Sequence, residues 1–323
     1  MFFAVNPWLP GTVSSLLDGI FEAPQAAAHA PYVLLLIDGS FAPTFIDSPV
    51  LRRLPGLAVY ANTSLEALKS AGLWLFELPR HRDQLEKVMS ELKPHLDGKP
   101  MWSLFSSVMP AAALAAHLMP FLFARTGDGL DWPVRWGDTR VLPNLLGVLT
   151  KAERTRLMSP LHAWIYVDRQ GALQAVNGQG GEAASEASPW QRWELDDQRF
   201  HALVDAGEAD HILAGIDDVR PDLLKIYPPA QTHHRVQQCL QLAEGGRITS
   251  APPRQALSML GLMLHERFMC HPAFKQLLHN TREGSTYEHE LQAMPDDFWT
   301  DCARDVEAGM QPDKRQTHTR STP

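Results

Sequence analysis

The chain has 323 residues, of which 45% are hydrophobic and 20% are charged. This composition is typical of a folded globular protein and excludes a chain that is disordered throughout. Lys and Arg number 29 and Asp and Glu number 37, and the net charge of −8 argues against general binding to nucleic acids or anionic membranes. At roughly 150 residues per domain, the length predicts about two domains.

Strand and helix patterns alternate over the first half of the chain. Short apolar runs predict strands at 32–37, 57–60, 73–78, 102–105, 132–136, 162–167 and 173–176. Amphipathic spacing and capping residues predict helices at 8–22, 63–72, 81–92, 110–124, 139–149 and 151–158. The alternation predicts an α/β domain with a mixed sheet flanked by helices, and its last two strands are expected to form an antiparallel hairpin.

The pattern changes after residue 176. Residues 177–189 are rich in Gly, Ala, Ser and Glu and lack periodic apolar positions, which is typical of a linker. Helical spacing follows at 196–226, 231–243, 252–269, 271–280 and 295–307. The predicted organisation is therefore an α/β domain at 1–176, a linker at 177–195, an all-α domain at 196–308 and a disordered tail at 309–323.

The cysteines and the longest apolar run indicate in which cellular compartment the protein is expected. Cys239, Cys270 and Cys302 are odd in number and widely spaced, which favours neither a disulfide framework nor a zinc site. The longest apolar run, 111–124, is shorter than the roughly 20 residues that cross a bilayer. We therefore expect a cytoplasmic protein with no membrane insertion.

The densest charge cluster of the first half consists of Arg135, Asp138 and Arg140, where a predicted strand passes into a predicted helix. Such positions hold ligands in α/β sheets, but a capping Asp138 paired with either arginine would give the same pattern. The signatures GxSxG, GxxxxGK[ST] and GxGxxG are not found where their chemistry requires them. We therefore predict no catalytic residue, metal or cofactor.

Three methionines mark a second candidate site. Met259, Met263 and Met269 lie among leucines in a predicted helical region. Methionine surfaces adapt to apolar helices of partners, although core packing produces the same pattern. These methionines and the charged cluster are the candidate partner-binding residues.

Five segments in order resemble one known family. They are 32–38 (YVLLLID), 60–79 (YANTSLEALKSAGLWLFELP), 101–125 (MWSLFSSVMPAAALAAHLMPFLFAR), 134–149 (VRWGDTRVLPNLLGVL) and 157–167 (LMSPLHAWIYV). Together they resemble the type VI secretion effector chaperones, also called Tap or TEC adaptors, of the domain of unknown function 4123 family. Asp38, Trp102 and His117 match characteristic positions, and the charged cluster matches the family's charged block. The sequence departs from the pattern at Met119, Gly137 and Thr139.

The resemblance implies a role without catalysis. Such adaptors bind a cognate toxic effector in the cytoplasm of the producing bacterium and promote its loading onto the VgrG spike. The expected partners are therefore a secreted toxin and VgrG, with partner specificity in the helical domain. Two alternatives stay open: an enzyme or ligand-binding protein that uses the crevice of Arg135, Asp138 and Arg140, and a structural component of the spike or baseplate.

Overall fold

A computed structural model describes residues 2–21, 32–181 and 192–310. The chain divides into two compact units, Val5–Gly207 and Glu208–Pro323, the second of which includes Met1–Ala4. The first unit is α/β and the second is helical, as the sequence predicts. The division falls inside the helix Asp197–Val219 rather than at the predicted boundary of residue 196. Part of the predicted linker and the predicted tail after Met310 lie outside the described residues.

Six strands of the first unit's described residues form its main sheet, in the order β2-β3-β1-β4-β7-β8. Their bounds are β1 Tyr32–Asp38, β2 Gly56–Ala58, β3 Leu73–Leu78, β4 Trp102–Ser107, β7 Leu161–Val167 and β8 Leu173–Asn177. Every neighbouring pair in this sheet is antiparallel, and β7 and β8 form the predicted hairpin.

The main sheet is covered on both faces, and its central strands β1 and β4 are buried at nearly every position. In β1, Leu34 and Leu36 enter one hydrophobic cluster while Val33, Leu35 and Ile37 enter another. This alternation follows from the two-residue period of a strand. The five helices described before residue 160 are α1 Thr12–Phe21, α2 Arg82–Leu96, α3 Ala111–Leu118, α4 Leu142–Val148 and α5 Lys151–Met158. The first two contribute to one cluster and the last three to the other.

The predicted helix 110–124 is too long at its C-terminal end, where the structure has a strand of a smaller sheet. That helix ends at Leu118, and after a turn of 3₁₀ helix at Met119–Phe121 the chain continues as β5, Phe123–Thr126. Periodicity cannot locate this change, because nearly every residue of the run is apolar. Strand β5 pairs with β6, Asp131–Pro133, and in parallel with β9, Trp193–Leu195, which lies within the predicted linker. The predicted helix 63–72 is a 3₁₀ helix, Glu66–Ala71.

All of the secondary structure that is described in the second unit is helical. Helix α6, Asp197–Val219, leads into it, and its further helices are α7 Pro229–Gly245, α8 Ala251–Met263, α9 Pro272–Arg282, α10 Tyr287–Gln292 and α11 Asp296–Met310. The predicted helix 252–269 ends at Met263 and is followed by a 3₁₀ helix, Glu266–Cys270. Among the described residues, no helix is long and apolar enough to cross a membrane, and no group of His, Cys, Asp and Glu is arranged to hold a metal ion.

Candidate functional site

The first candidate site is built around Asp38 at the end of β1. Its backbone N–H donates to the Met101 carbonyl at 2.8 Å, which fixes the end of the strand. The carboxylate is buried, and its Oδ2 accepts hydrogen bonds from Arg135 Nε at 3.2 Å and Nη2 at 3.0 Å. Its Oδ1 accepts from the N–H and the hydroxyl of Ser40. The Asp38 carboxylate therefore accepts two hydrogen bonds from Ser40 and two charge-assisted hydrogen bonds from Arg135.

A second ion pair joins Asp138 and Arg140. Arg140 Nε donates to Oδ1 at 3.0 Å and Nη2 donates to Oδ2 at 2.8 Å, in a bidentate arrangement. The Asp138 carboxylate is also buried, and it accepts the backbone N–H of Arg140. Asp138 does not cap α4 with its side chain; its carbonyl oxygen accepts from Val141 and Leu142 instead. The sequence left open which arginine pairs with Asp138; the structure pairs it with Arg140, while Arg135 pairs with Asp38.

Phe41 connects the two ion pairs. The Arg135 guanidinium lies 4.5 Å and the Arg140 guanidinium 5.3 Å from the centroid of its ring. Both distances fall within the range of a cation–π contact. The structure thus brings Asp38, Asp138 and both arginines into one cluster. Sequence analysis missed Phe41, because nothing local in a 3₁₀ segment signals a contact with residues almost a hundred positions away.

Tyr60 and Gly137 close the packing around Asp38. Burial raises the pKa of the Tyr60 hydroxyl to about 12, and the negative charge of Asp38 adds to this while Arg135 opposes it. A Cβ atom at position 137 would lie 2.6 Å from the Asp38 Cβ and 2.9 Å from Leu73 Cδ2. Gly137, where the family pattern has an aromatic residue, therefore suits the cluster as it is packed here.

Of the other two family-pattern residues, Trp102 is buried and His117 is half-buried. Trp102 is buried in β4, with its ring centroid 4.9 Å from that of Trp8. His117 lies in α3, and its Nε2 is 3.2 Å from the Leu157 carbonyl oxygen. Burial lowers the pKa of His117, while the hydrogen bond to this carbonyl opposes the shift. Neither residue contacts the charged cluster in these interactions; Trp102 packs against Trp8, and His117 bonds to the Leu157 carbonyl.

The three candidate methionines do not share one surface. Met259 is half-buried and packs against the cluster that includes Ile216. Met269 is half-buried against a separate cluster that includes Phe274. Met263, at the end of α8, is 45% exposed. Only Met263 is therefore placed to contact a partner extensively.

Met263 lines a groove of about 410 Å³ in the second unit. Ile226, which is also 45% exposed, Tyr227 and Val306 form further apolar parts of its lining. Exposed aliphatic side chains that gather in one concavity are characteristic of binding sites for apolar ligands or segments. This groove, which includes only Met263 of the three candidate methionines, is the second candidate site.

A buried arginine organises one wall of the groove. Arg235 donates to the Gly261 carbonyl through Nε at 3.0 Å and Nη2 at 2.7 Å, and to the Leu264 carbonyl at 2.6 Å. Its guanidinium also lies 4.4 Å from the centroid of the Tyr227 ring. These contacts link α7 to the end of α8 and hold Tyr227 in place. The groove wall is consequently fixed by hydrogen bonds within the chain.

Comparison with known proteins adds one finding. The family model described as Domain of unknown function (DUF4123) matches residues 33–156, which is less than half of the chain. This family is associated with type VI secretion adaptors. No curated protein and no solved structure matches the chain. The matched range contains the whole charged cluster together with Trp102 and His117, whereas the groove lies outside it.

Proposed function

We propose that this protein is a type VI secretion adaptor that binds a cognate toxic effector and promotes its loading onto the VgrG spike. The match of the DUF4123 model to residues 33–156 carries the proposal. The ordered resemblance of five segments to Tap/TEC adaptors supports the finer assignment. An adaptor of this kind acts in the cytoplasm of the producing cell, before the apparatus fires.

The proposed role is non-catalytic. A catalytic carboxylate needs access to its substrate, yet Asp38 and Asp138 are both buried and both satisfied by arginine. Their geometry suits a scaffold that fixes the segment 38–41 to the segment 135–141. In this proposal the charged cluster shapes the first unit and takes no part in a reaction.

The groove of the second unit is the proposed site for the effector. An apolar segment of the effector would bury Ile226 and Met263, which are now each 45% exposed. The groove itself is small, so the complete interface includes surrounding polar surface and approaches the usual size of about 1,600 Å². A polar rim around a small apolar centre permits the release that loading onto VgrG requires.

Co-expression of the tagged chain with the products of its neighbouring genes tests this proposal. Recovery of a stoichiometric complex with a toxin, with or without VgrG, is the expected result. A preparation that retains neither would contradict it. Stable presence in the assembled, purified secretion apparatus would indicate a structural spike or baseplate component instead.

A further inference from the structure

Within the part of the chain that the structure describes, the main sheet of the first unit ends in an unprotected edge at β8. Among the described residues, only β7 pairs with this strand. The five residues Leu173–Asn177 include no charged residue, no proline and no glycine. Gln174, Ala175 and Asn177 are exposed. Natural proteins usually protect such an edge with charge, proline, a bulge or a very short strand, because free backbone groups invite another strand.

The other described sheet edges carry this protection. Strand β2 has three residues and directly follows Pro55. In the small sheet, β6 has three residues and includes Asp131 and Pro133, and β9 has three residues with Glu194 at its centre. Strand β8 is therefore the exception among the edges that the structure describes.

The hydrogen-bond pattern of the hairpin identifies the backbone groups that point outward from β8. Asp168 donates to the Ala172 carbonyl, and Gly178 donates to the His162 carbonyl. In an antiparallel pair, hydrogen-bonded positions alternate with positions whose groups point away from the partner strand. The backbone N–H and C=O groups of Gln174 and Val176 therefore form hydrogen bonds with β7. The N–H and C=O groups of three residues face outward, namely Leu173, Ala175 and Asn177.

We propose that β8 pairs antiparallel with β8 of a second copy of this chain, about a twofold axis at Ala175. The three outward-facing residues are symmetric about Ala175, so this register places Ala175 opposite its own copy and Leu173 opposite Asn177 of the copy. Residues opposite each other in such positions exchange two hydrogen bonds, which gives six across the interface. An isologous contact of this kind closes after two subunits and joins the two main sheets into one.

The side chains and flanking segments are compatible with this register. Ala175 is small at the axis, where two copies of one side chain meet. No like charges face each other along the strand, because it has none. At the hairpin end the Gly171 carbonyl already accepts from Leu9 N–H, so the pairing stops at Leu173. The contact is short, so the dimer forms at higher concentrations than a standard interface requires.

Sedimentation equilibrium of the purified full chain over a wide concentration range tests the proposal. The expected mass rises from 36.0 kDa towards twice that value with increasing concentration. Ala175→Lys sets two ammonium groups together at the axis and is expected to weaken dimerisation at least tenfold. Ala256→Lys, on the exposed side of α8, adds the same charge elsewhere and should leave it unchanged. A wild-type protein that is monomeric throughout, or a dimer that tolerates Ala175→Lys, overturns the proposal.

Cross-linking tests the register itself. Cα atoms of hydrogen-bonded antiparallel pairs lie about 5.5 Å apart, which a disulfide can bridge. With the exposed Cys270 replaced by serine, Ala175→Cys should form a disulfide dimer under mild oxidation, whereas Gln174→Cys, which is not opposite itself, should not. Equal cross-linking of both variants contradicts the register. A monomeric wild-type chain whose Ala175→Lys variant loses a co-purifying partner would instead assign the edge to that partner, and would overturn self-pairing without affecting the proposed function.

Discussion

Gly137 lies so close to Asp38 that a Cβ atom at position 137 would be 2.6 Å from the Asp38 Cβ. The same atom would be 3.1 Å from the Asp38 backbone nitrogen. Because Asp38 N–H bonds to Met101 at the end of β1, Asp38 cannot move aside without disturbing the central strand. The charged cluster therefore requires a residue without a side chain at position 137.

Gly137→Ala is expected to lower the free energy of unfolding by about 1 to 3 kcal/mol, because overpacking forces a backbone or side-chain shift. Urea unfolding followed by circular dichroism measures the change. Gly147→Ala is the matched control: it lies in α4, and a Cβ there would meet no atom within 4 Å. The control should be neutral or stabilising, since alanine favours a helix over glycine. Equal stability of both variants would contradict the close packing at Asp38.

Arg140→Ala should destabilise the protein more than Arg135→Ala. Arg140 is largely buried and is the ion-pair partner of the buried Asp138, so its loss leaves an uncompensated charge at a cost of about 3 kcal/mol. The Arg135 side chain is 45% exposed, and Asp38 keeps its hydrogen bonds to Ser40, so we expect a loss of about 1 to 2 kcal/mol.

Arg52→Ala provides the baseline for both arginine variants. Arg52 and its partner Asp47 are 69% and 75% exposed, so their ion pair should contribute less than about 1 kcal/mol. Urea midpoints of the three variants at equal salt give the comparison. If Arg135→Ala lowers the free energy of unfolding more than Arg140→Ala does, burial of the arginine does not determine the loss of stability.

The sequence predicts the local elements of this fold better than their pairing. The apolar run 32–37 predicts a strand, and the structure has β1 there with Val33–Asp38 buried throughout. The end of α3 was predicted wrongly, because an apolar run fits a buried helix and a buried strand equally well. The parallel pairing of β5 with β9 joins residues about 70 positions apart, and local periodicity has no signal for such a contact.

The charged cluster was predicted only in part, because sequence patterns indicate contacts between neighbouring residues and not between distant ones. Asp138 and Arg140 are two positions apart, and a pair between Asp138 and either nearby arginine was expected; the structure forms it with Arg140. Asp38 and Arg135 are separated by 97 positions, and they meet only because the end of β1 and the segment before α4 converge. The three methionines were grouped because they lie among leucines in one predicted helical region, yet α8 ends at Met263 and Met269 lies beyond it.

Protonation of His117 should make the protein less stable in mild acid. Burial lowers the pKa of His117 below its value of about 6.5 in the unfolded chain. Between those two pKa values the unfolded chain binds more protons, so stability falls as the pH falls from about 6.5 towards the lowered pKa. Urea unfolding at a series of pH values measures this slope. His117→Gln should reduce the slope in this window, and an unchanged slope would assign it to other groups.

The three cysteines should differ sharply in reactivity. Cys239 is buried, and desolvation raises the pKa of its thiol to about 12, so it forms almost no thiolate at neutral pH. Cys302 is also buried and its pKa is raised, whereas Cys270 is exposed. Brief treatment of the folded protein with a thiol reagent should label Cys270 first, as peptide mass spectrometry can show. Rapid labelling of Cys239 without denaturant would contradict the packing of α7.

The groove of the second unit gives the most direct test of how a partner is held. Met263→Glu places a carboxylate among Ile226, Tyr227 and Val306, where a bound apolar segment would have to desolvate it. We expect at least a tenfold loss of affinity for the co-purified effector, measured by calorimetry, with no change in the urea midpoint because Met263 is exposed. Val219→Glu is the matched control, since Val219 is 61% exposed at the end of α6 and does not line the groove. Because both variants add one negative charge to an exposed aliphatic position, a selective effect of Met263→Glu locates the effector in the groove. Equal affinity of both variants would place the effector on another surface.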